Sequence, residues 1–418
     1  MTPTARPTAL TAHTVEVDID GADLDLVAEA GEHGFLYEDD HGGLAARGIA
    51  AVIELPRGLA DPTAAEGVRA VLDGIATDDP TGPVAVAALP FDAGRPAALV
   101  VPALVIRRDG GGKARVTTIG PAGHDTAARS WHPAAPAPPS TAPDGFALHP
   151  EPGHRDWQST IEQALAAIGR GEFTKVVLAR AVRVEANRDI DRAAVLRRLR
   201  SLYPSCVTFA AGGFVGATPE LLVARHGDRV RSHPLAGTVP RSGDPDHDRA
   251  LAAAMLASAK EREEHALTVD AVAAALRPLC TDVEAPTAPD VVSLRNVAHL
   301  ASTVTGRLRE TDKGLPSALD LVARLHPTPA VGGAPTQPAL DFIERHENLD
   351  RHFYAGPVGW VDGTGDGEWM VGIRSAQLDG DTARLYAGVG IVAGSDPDAE
   401  LAETQFKLQA LLSALVRP

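Results

Sequence analysis

The order in which extended and helical runs follow one another is the feature that most limits what this chain can fold into. Between residues 175 and 225 the runs KVVLARAVRVE and CVTFAAGGFVGATPELLVAR read as strands separated by glycine and proline turns. A long Ala-rich helical stretch follows, with Asp248 as its expected cap and an expected end near residue 277. Three further extended runs, VGWVD, EWMVGIRSAQL and ARLYAGVGIV, precede a last helix that opens after Asp396-Pro397 and ends near residue 415. Long helices mixed with β-meanders, without regular strand–helix alternation, argue against a parallel βαβ sheet. The expectation is an α+β fold.

One stretch interrupts this pattern. Residues 131–150 (WHPAAPAPPSTAPDGFALHP) carry Pro133, Pro136, Pro138, Pro139, Pro143 and Pro150, and proline lacks the donor that a helix or sheet interior needs. They read as an extended connector between residues 1–130, rich in short β-like runs, and residues 151–418. VIRRDGGGKARVTT reads as a hairpin turning at Gly110–Gly112. Its GGGK is not a phosphate loop, because Arg107 stands where the first glycine is needed and Ala114 where Ser or Thr is needed. Past the connector, Trp157, Ile161, Leu165 and Ile168 have helical spacing and Gly171 suits the stop.

The charge balance narrows the partners. With 39 Lys and Arg against 55 Asp and Glu among 418 residues, the formal charge is −16. Such a surface repels phosphate backbones and anionic membranes, so neither nucleic acid nor a membrane is an expected partner. A free anionic metabolite is also disfavoured, unless local cations override the global field. Two cysteines, Cys206 and Cys280, exclude a disulfide scaffold and a Cys-rich zinc site. Residues 1–20 lack the apolar core of an export signal. The longest apolar stretch, residues 97–106, is broken by Pro102 and too short to span a bilayer. A cytoplasmic location is expected.

Several charged residues stand in apolar surroundings, and each admits two readings. Lys175 opens a strand of Val, Val, Leu and Ala; it either guards a sheet edge or sits desolvated as a base. Glu220 follows a Gly-Ala-Thr-Pro turn, either solvated or facing a pocket where burial would make it a proton donor. Glu264 falls on the helical row of Leu267 and Ala271, beside the apolar stripe, whereas Glu261 and Glu263 are better placed as solvated charges. Glu400, Glu403 and Lys407 share one face of the last helix, as a surface ion pair or as a row aimed into a site. Carboxylates from two helices are what Mg²⁺ wants, since it takes one or two of them plus substrate oxygens. Gly388 and Gly390 form a GxG that lacks the dinucleotide spacing, and either offer backbone N–H groups to an anion or relieve crowding. Arg374, alone in an apolar strand, either clamps a carboxylate or satisfies a structural acid.

The strings TKVVLAR (174–180), GATPELL (216–222), PLAGTVPR (234–241), SAKEREEH (258–265) and LHPTPAVGGAP (325–335) are followed by YAGPVGW (354–360), GEWMVGIRSA (367–376), RLYAGVGIV (384–392) and ELAETQFKL (400–408). In that order, over residues 155–412, the chain resembles the chorismate-binding enzyme superfamily, and within it the isochorismate synthases. The resemblance implies two large, mostly antiparallel β-sheets packed face to face with helices outside, both halves of the chain forming one unit. It implies Mg²⁺ on Glu264 and Glu403, with Glu400 close by, bridging to the ring carboxylate of chorismate. Lys407 and the Gly237-Thr238 backbone would hold the same end. Arg374, Tyr354 and the Gly388 N–H would hold the enolpyruvyl carboxylate, and His326 and Ala330 would line the pocket. Lys175 would activate water for attack on C2, and Glu220 would protonate the departing C4 hydroxyl. A lysine at 175 also separates the chain from ammonia-using relatives, which carry Gln there and lean on a glutamine amidotransferase; no such partner is expected, and a monomer is. Salicylate synthases share the lysine and then eliminate pyruvate, but their loop after the pocket histidine lacks the PTPAV found at 327–331. A non-catalytic metal-binding protein on the same helices is the remaining alternative. Menaquinone and siderophore branches are not separated.

Overall fold

The computed structural model describes residues 9–19, 24–108, 113–121, 131–135 and 141–416. Its strands form a 13-stranded sheet, a 9-stranded sheet and a small 3-stranded one. Pairing is antiparallel throughout the named ladders except between Leu10–Asp18 and Ala76–Thr77. The larger sheet runs from Phe146–Glu151 at one edge through Lys175–Ala186, Thr382–Val392, Ser375–Asp379, Phe214–Thr218 and Val207–Ala211 to Phe35–Glu38 and its N-terminal neighbours. In the second sheet Leu221–His226, Gly367–Val371 and Pro357–Asp362 lie side by side, followed by Val84–Ala88. Strands from before residue 122 therefore hydrogen-bond directly to strands from after residue 150 in both sheets.

The two sheets close on each other through Phe35, Tyr37, Phe209 and Phe214 of one and Val86, Leu221, Val358 and Met370 of the other, all buried. Each such apolar side chain contributes about 1.5–3 kcal/mol on burial. The outer face of the larger sheet is covered by the helix Arg192–Leu202 and the last helix, Pro397–Val416, through Val195, Leu196, Leu199, Leu408 and Leu411. This is the face-to-face α+β architecture anticipated above. Both cysteines are buried free thiols. Among the described residues no helix is long and apolar enough to cross a membrane.

Local readings need correction in four places. Phe146–Glu151, inside the proline-rich stretch, is an edge strand paired with Lys175–Ala186, and Pro150 is tolerated because an edge leaves one side of the strand without ladder bonds. The Ala-rich stretch is two helices, Pro245–Ala257 and Ala259–Leu276. Asp244, not Asp248, caps the first, with Pro245 in its first turn; Asp248 instead accepts from the Ser242 and Gly243 N–H groups. Ser258 breaks the run with an extended backbone and caps the second helix through the Glu261 N–H. Ser258-x-x-Glu261 is the helix-start signature that the alanines obscured. Finally, EWMVGIRSAQL is two strands in different sheets, Gly367–Val371 and Ser375–Asp379, with the chain crossing over at residues 372–374. The Gly110–Gly112 turn lies outside the described residues; the strands on either side of it, Leu104–Arg108 and Lys113–Pro121, pair as a hairpin.

Candidate active site

A single cavity gathers most of the charged residues singled out above. Its walls are the N-terminal end of Lys175–Ala186, the neighbouring strand Thr382–Val392, the small sheet built on Leu235–Pro240 and Val297–Ala301, and the helices Ala259–Leu276 and Pro397–Val416. Lys175, Glu220, Gly237, Thr238, Glu264, Ala330, Tyr354, Arg374, Gly388, Glu400, Glu403 and Lys407 all line it.

Lys175 is no edge guard. The strand is paired on both sides at this point, with Val392 across one ladder and Ala334 across the other, so the side chain is only 2% exposed. Its Nζ lies 2.9 Å from Glu264 Oε1. The approach depends on Gly390: a Cβ there would meet Lys175 Cε at 2.9 Å and Glu264 Oε1 at 3.2 Å. Gly388 makes room in the same way for the Tyr354 hydroxyl, 2.9 Å from where a Cβ would stand. Crowding thus explains the glycine side of the GxG. The Gly388 backbone also lines the cavity. Gly388 C=O accepts from Lys407 Nζ at 2.9 Å. A residue's N–H and C=O point to the same side of a strand, so the Gly388 N–H faces that way too.

Glu220 is 3% exposed, and burial pushes its carboxyl up to about 8, against the opposing pull of Lys175, the Leu235 N–H and Arg374. At neutral pH it is mostly the uncharged acid. Two other groups are held neutral by the same desolvation. The Tyr354 phenol, stacked on Tyr386 with ring centroids 5.2 Å apart, is pushed up to about 12. His299 is driven down to about 3 by burial and by Arg374.

Arg374 occupies the crossover between the sheets with φ 50°, a left-handed conformation that turns its side chain out of both ladders. Its Nη2 donates to His299 Nε2 at 3.0 Å, and His299 Nδ1 in turn lies 3.0 Å from Gly237 O. Donation from the guanidinium requires Nε2 to be the acceptor, which assigns the ring proton to Nδ1. Gly237 sits in a bulge at φ 72°, and a Cβ there would come within 2.8 Å of Glu261 Oε2. On the last helix Lys407 Nζ is 2.6 Å from Glu403 Oε1, the expected i,i+4 pair, but here only 14% exposed and turned into the cavity.

His326 is the exception among the expected site residues. It does not line the cavity; its Nε2 bonds Phe91 O at 2.8 Å and its ring packs edge-on against Phe91. The loop that carries it turns Ala330 and Val331 to the cavity instead. The sequence reading set Glu261 aside as a solvated charge and did not single out His299 or Arg351, yet all three line the cavity. The phase of the helix misplaced Glu261. The buried stripe is His265, Thr268, Val269, Val272, Ala273 and Leu276, leaving Leu267 41% exposed and bringing Glu261 inward. Its place at the start of a capped helix was the available signal. Nothing in the spacing of VAHLAS distinguishes His299 from a core histidine.

The glutamates of this cavity are hard oxygen donors from two helices, a set that fits Mg²⁺, which rarely takes more than one or two carboxylates from protein. Among the described residues no group of three or more acidic, His or Cys side chains is preassembled as a cage. Glu264 is instead paired with Lys175, and Glu403 with Lys407. A cation at this wall would compete with those lysines for the carboxylates.

A fold of two facing antiparallel sheets, with this acid–base cavity beside them, defines a family. The chain belongs to the chorismate-binding enzymes, whose family model matches residues 96–416. It is 45% identical over 350 residues to a putative isochorismate synthase, MenF, of Mycobacterium tuberculosis, covering 80% of this chain and 87% of that one. It is 40% identical over 344 residues to the isochorismate synthase DhbC of Bacillus subtilis, covering 80% and 81%. Among solved structures, the menaquinone-specific isochorismate synthase MenF of Escherichia coli superposes with a TM-score of 0.84 at 27% identity, over 98% of this chain and 95% of that one.

Proposed function

We infer that the protein is an isochorismate synthase, an isomerase that converts chorismate to isochorismate. The observation that carries this reading is a pair of opposed chemistry in one cavity: a carboxyl at Glu220 kept protonated near neutrality and a buried lysine amine at Lys175. Water adds at C2 and gives up its proton to Lys175. The ring double bond shifts, and the C4 hydroxyl leaves as water after taking the Glu220 proton. One water enters and one departs, so the reaction is a net isomerisation. Arg374 is charged, and its bond to neutral His299 leaves that charge for a ligand carboxylate, which the Tyr354 hydroxyl and the Gly388 N–H also receive. Lys407 and the Gly237-Thr238 bulge take the other carboxylate. Mg²⁺, held by Glu264 and Glu403 with Glu400 and Glu261 beside them, supplies positive charge to the ring carboxylate when bound. Were Glu264 engaged by the cation, Lys175 would be freed from that pair to face the attacking water.

The attacking group is water, so the reading needs no glutamine amidotransferase. The protein acts as a cytoplasmic monomer on the free small molecule. Relatives carry names from both menaquinone and siderophore pathways, and the product is common to the two. The test is product identity: purified protein, chorismate and Mg²⁺, with chromatographic separation of chorismate from isochorismate and a lactate dehydrogenase assay for pyruvate. Isochorismate without pyruvate is expected. Stoichiometric pyruvate would make it a salicylate synthase, and no turnover across pH 6–9 would leave only the metal-binding reading.

A further inference from the structure

The strand that presents Lys175 has a gap in its outer edge. Gly333–Ala334 pairs with Lys175 and Val176, and Phe146–Glu151 pairs only from Ala181 onward. Between them, among the described residues, no strand covers Val177 to Arg180, yet every outward backbone group of Val177 and Ala179 is satisfied. Val177 N–H donates to Gly332 O, and Trp157 Nε1 donates to Ala179 O. The remaining two bonds come from a buried ion pair. Arg351 Nη2 donates to Val177 O at 2.7 Å, and Ala179 N–H donates to Glu347 Oε2 at 2.7 Å. The pair itself is bidentate, with Nε to Oε1 at 2.6 Å and Nη2 to Oε2 at 2.5 Å, and its members are 3% and 1% exposed.

The same guanidinium reaches further. Its Nη1 donates to Val331 O at 3.0 Å, which fixes the loop that turns Ala330 to the cavity. The Arg351 backbone C=O accepts from Tyr354 N–H. Around it, Asn348, His352 and Ala355 hold φ values of 51°, 46° and 63°; Asn and His take this left-handed backbone readily, whereas an alanine keeps it only where its surroundings impose it. Three segments that meet nowhere else in sequence are thus tied to one planar fork. The pair does more than neutralise itself: apolar side chains of equal volume would leave Val177 O, Ala179 N–H and Val331 O without partners, at about 1–3 kcal/mol each.

We propose that the Glu347–Arg351 pair is the positioning device of the active site, a side-chain substitute for a missing strand that holds the Lys175 strand, the Ala330 loop and Tyr354 in register. The proposal rests on the isochorismate synthase reading, and its test separates the two. The double variant Glu347→Leu/Arg351→Met keeps the volume and removes the polar ties. We expect it to melt below wild type, because Val177 O, Ala179 N–H and Val331 O lose their partners, and in the folded protein to change KM for chorismate little and to lose kcat about 10–100-fold, the size of effect that a misplacement near 1 Å produces. Arg351→Lys keeps the charge, but one ammonium cannot serve the carboxylate and both carbonyls in one plane, so an intermediate kcat is expected. Hydrogen exchange of the peptide carrying residues 177–179 should quicken in both variants, whatever the activity. Wild-type kcat in a folded double variant, full activity in Arg351→Lys, or unchanged exchange would each overturn the proposal. If the double variant fails to fold, Arg351→Lys decides alone. If the wild-type protein does not turn over chorismate, the activity reading falls and the exchange result decides the positioning claim.

Discussion

Replacing Glu220 by Gln should leave an enzyme that is inactive and, above neutral pH, more stable than the original. The carboxyl is held at about 8, against an ordinary value of 4.5, by burial. A raised acid constant means that the folded state binds the proton more tightly than the unfolded chain does. Stability is therefore undiminished below about pH 4.5, falls as pH rises toward 8, and levels off above that. At about 1.4 kcal/mol per tenfold change in the proton equilibrium, the loss between pH 5 and pH 8 is about 3 kcal/mol. Gln keeps an oxygen for the Leu235 N–H and carries no titrating proton, so this loss disappears. With an unfolding entropy of about 2.1 cal/mol/K per residue, the variant should melt about 3 °C above wild type at pH 8 and level with it at pH 5. Turnover should fall about 10²–10⁴-fold at every pH, the usual contribution of a positioned acid. In the wild type the rate should decline as pH passes 8 and the donor loses its proton. Thermal melts of both proteins from pH 5 to pH 8, paired with chromatographic turnover, decide the matter. A melting difference that does not grow with pH, or a Gln variant with wild-type turnover, would refute the reasoning.

Lys175→Met should lower kcat by about 10²–10⁴-fold while calorimetry still detects chorismate binding in the presence of Mg²⁺; retained turnover would remove the lysine from its role. Arg374→Met removes a charge-assisted grip on a carboxylate worth about 1.5–3 kcal/mol. KM should rise roughly tenfold to a hundredfold, measured by initial rates, with kcat changing less. Chelation should abolish turnover and Mg²⁺ restore it, and Glu403→Gln should raise the Mg²⁺ needed for half-maximal rate by at least about tenfold. Turnover that persists in chelator would deny the metal its place.

The fold was legible where one local rule acted without competition. The run KVVLARAV located Lys175–Ala186, buried on both faces over residues 175–182, and the largely alternating ARLYAGVGIV located Thr382–Val392, whose buried positions largely alternate. Failures came where two rules competed. The alanines of residues 250–257 hid the Ser258 cap, since helix propensity continues smoothly across a break that only a capping side chain marks. EWMVGIRSAQL reads as one strand because nothing local distinguishes a sheet-to-sheet crossover from a straight run. Arg374 stands at that crossover in a left-handed conformation, and a site is where such a backbone is tolerated. His326 and His299 show the limit for side chains. Both are buried histidines, and only tertiary packing turns one toward Phe91 O and the other toward Arg374.

A protein of charge −16 can receive a dicarboxylate because burial sorts the charges of its cavity. Desolvation favours the uncharged form of any group that lacks a close partner. It favours the uncharged forms of Glu220 and His299, which line the cavity with Arg374. The Glu264 and Glu403 carboxylates, carried by two helices that also line it, are each paired with one lysine, Lys175 and Lys407 respectively. The cavity is thus divided into a wall with surplus positive charge and a wall of oxygen donors suited to a divalent cation. An anionic substrate meets attraction on the first wall directly, and on the second only with a cation present. Substrate affinity should therefore depend on Mg²⁺ far more steeply than the overall charge of the protein suggests, since without the metal one end of the dicarboxylate faces the oxygens of Glu264 and Glu403 across a poorly screened space.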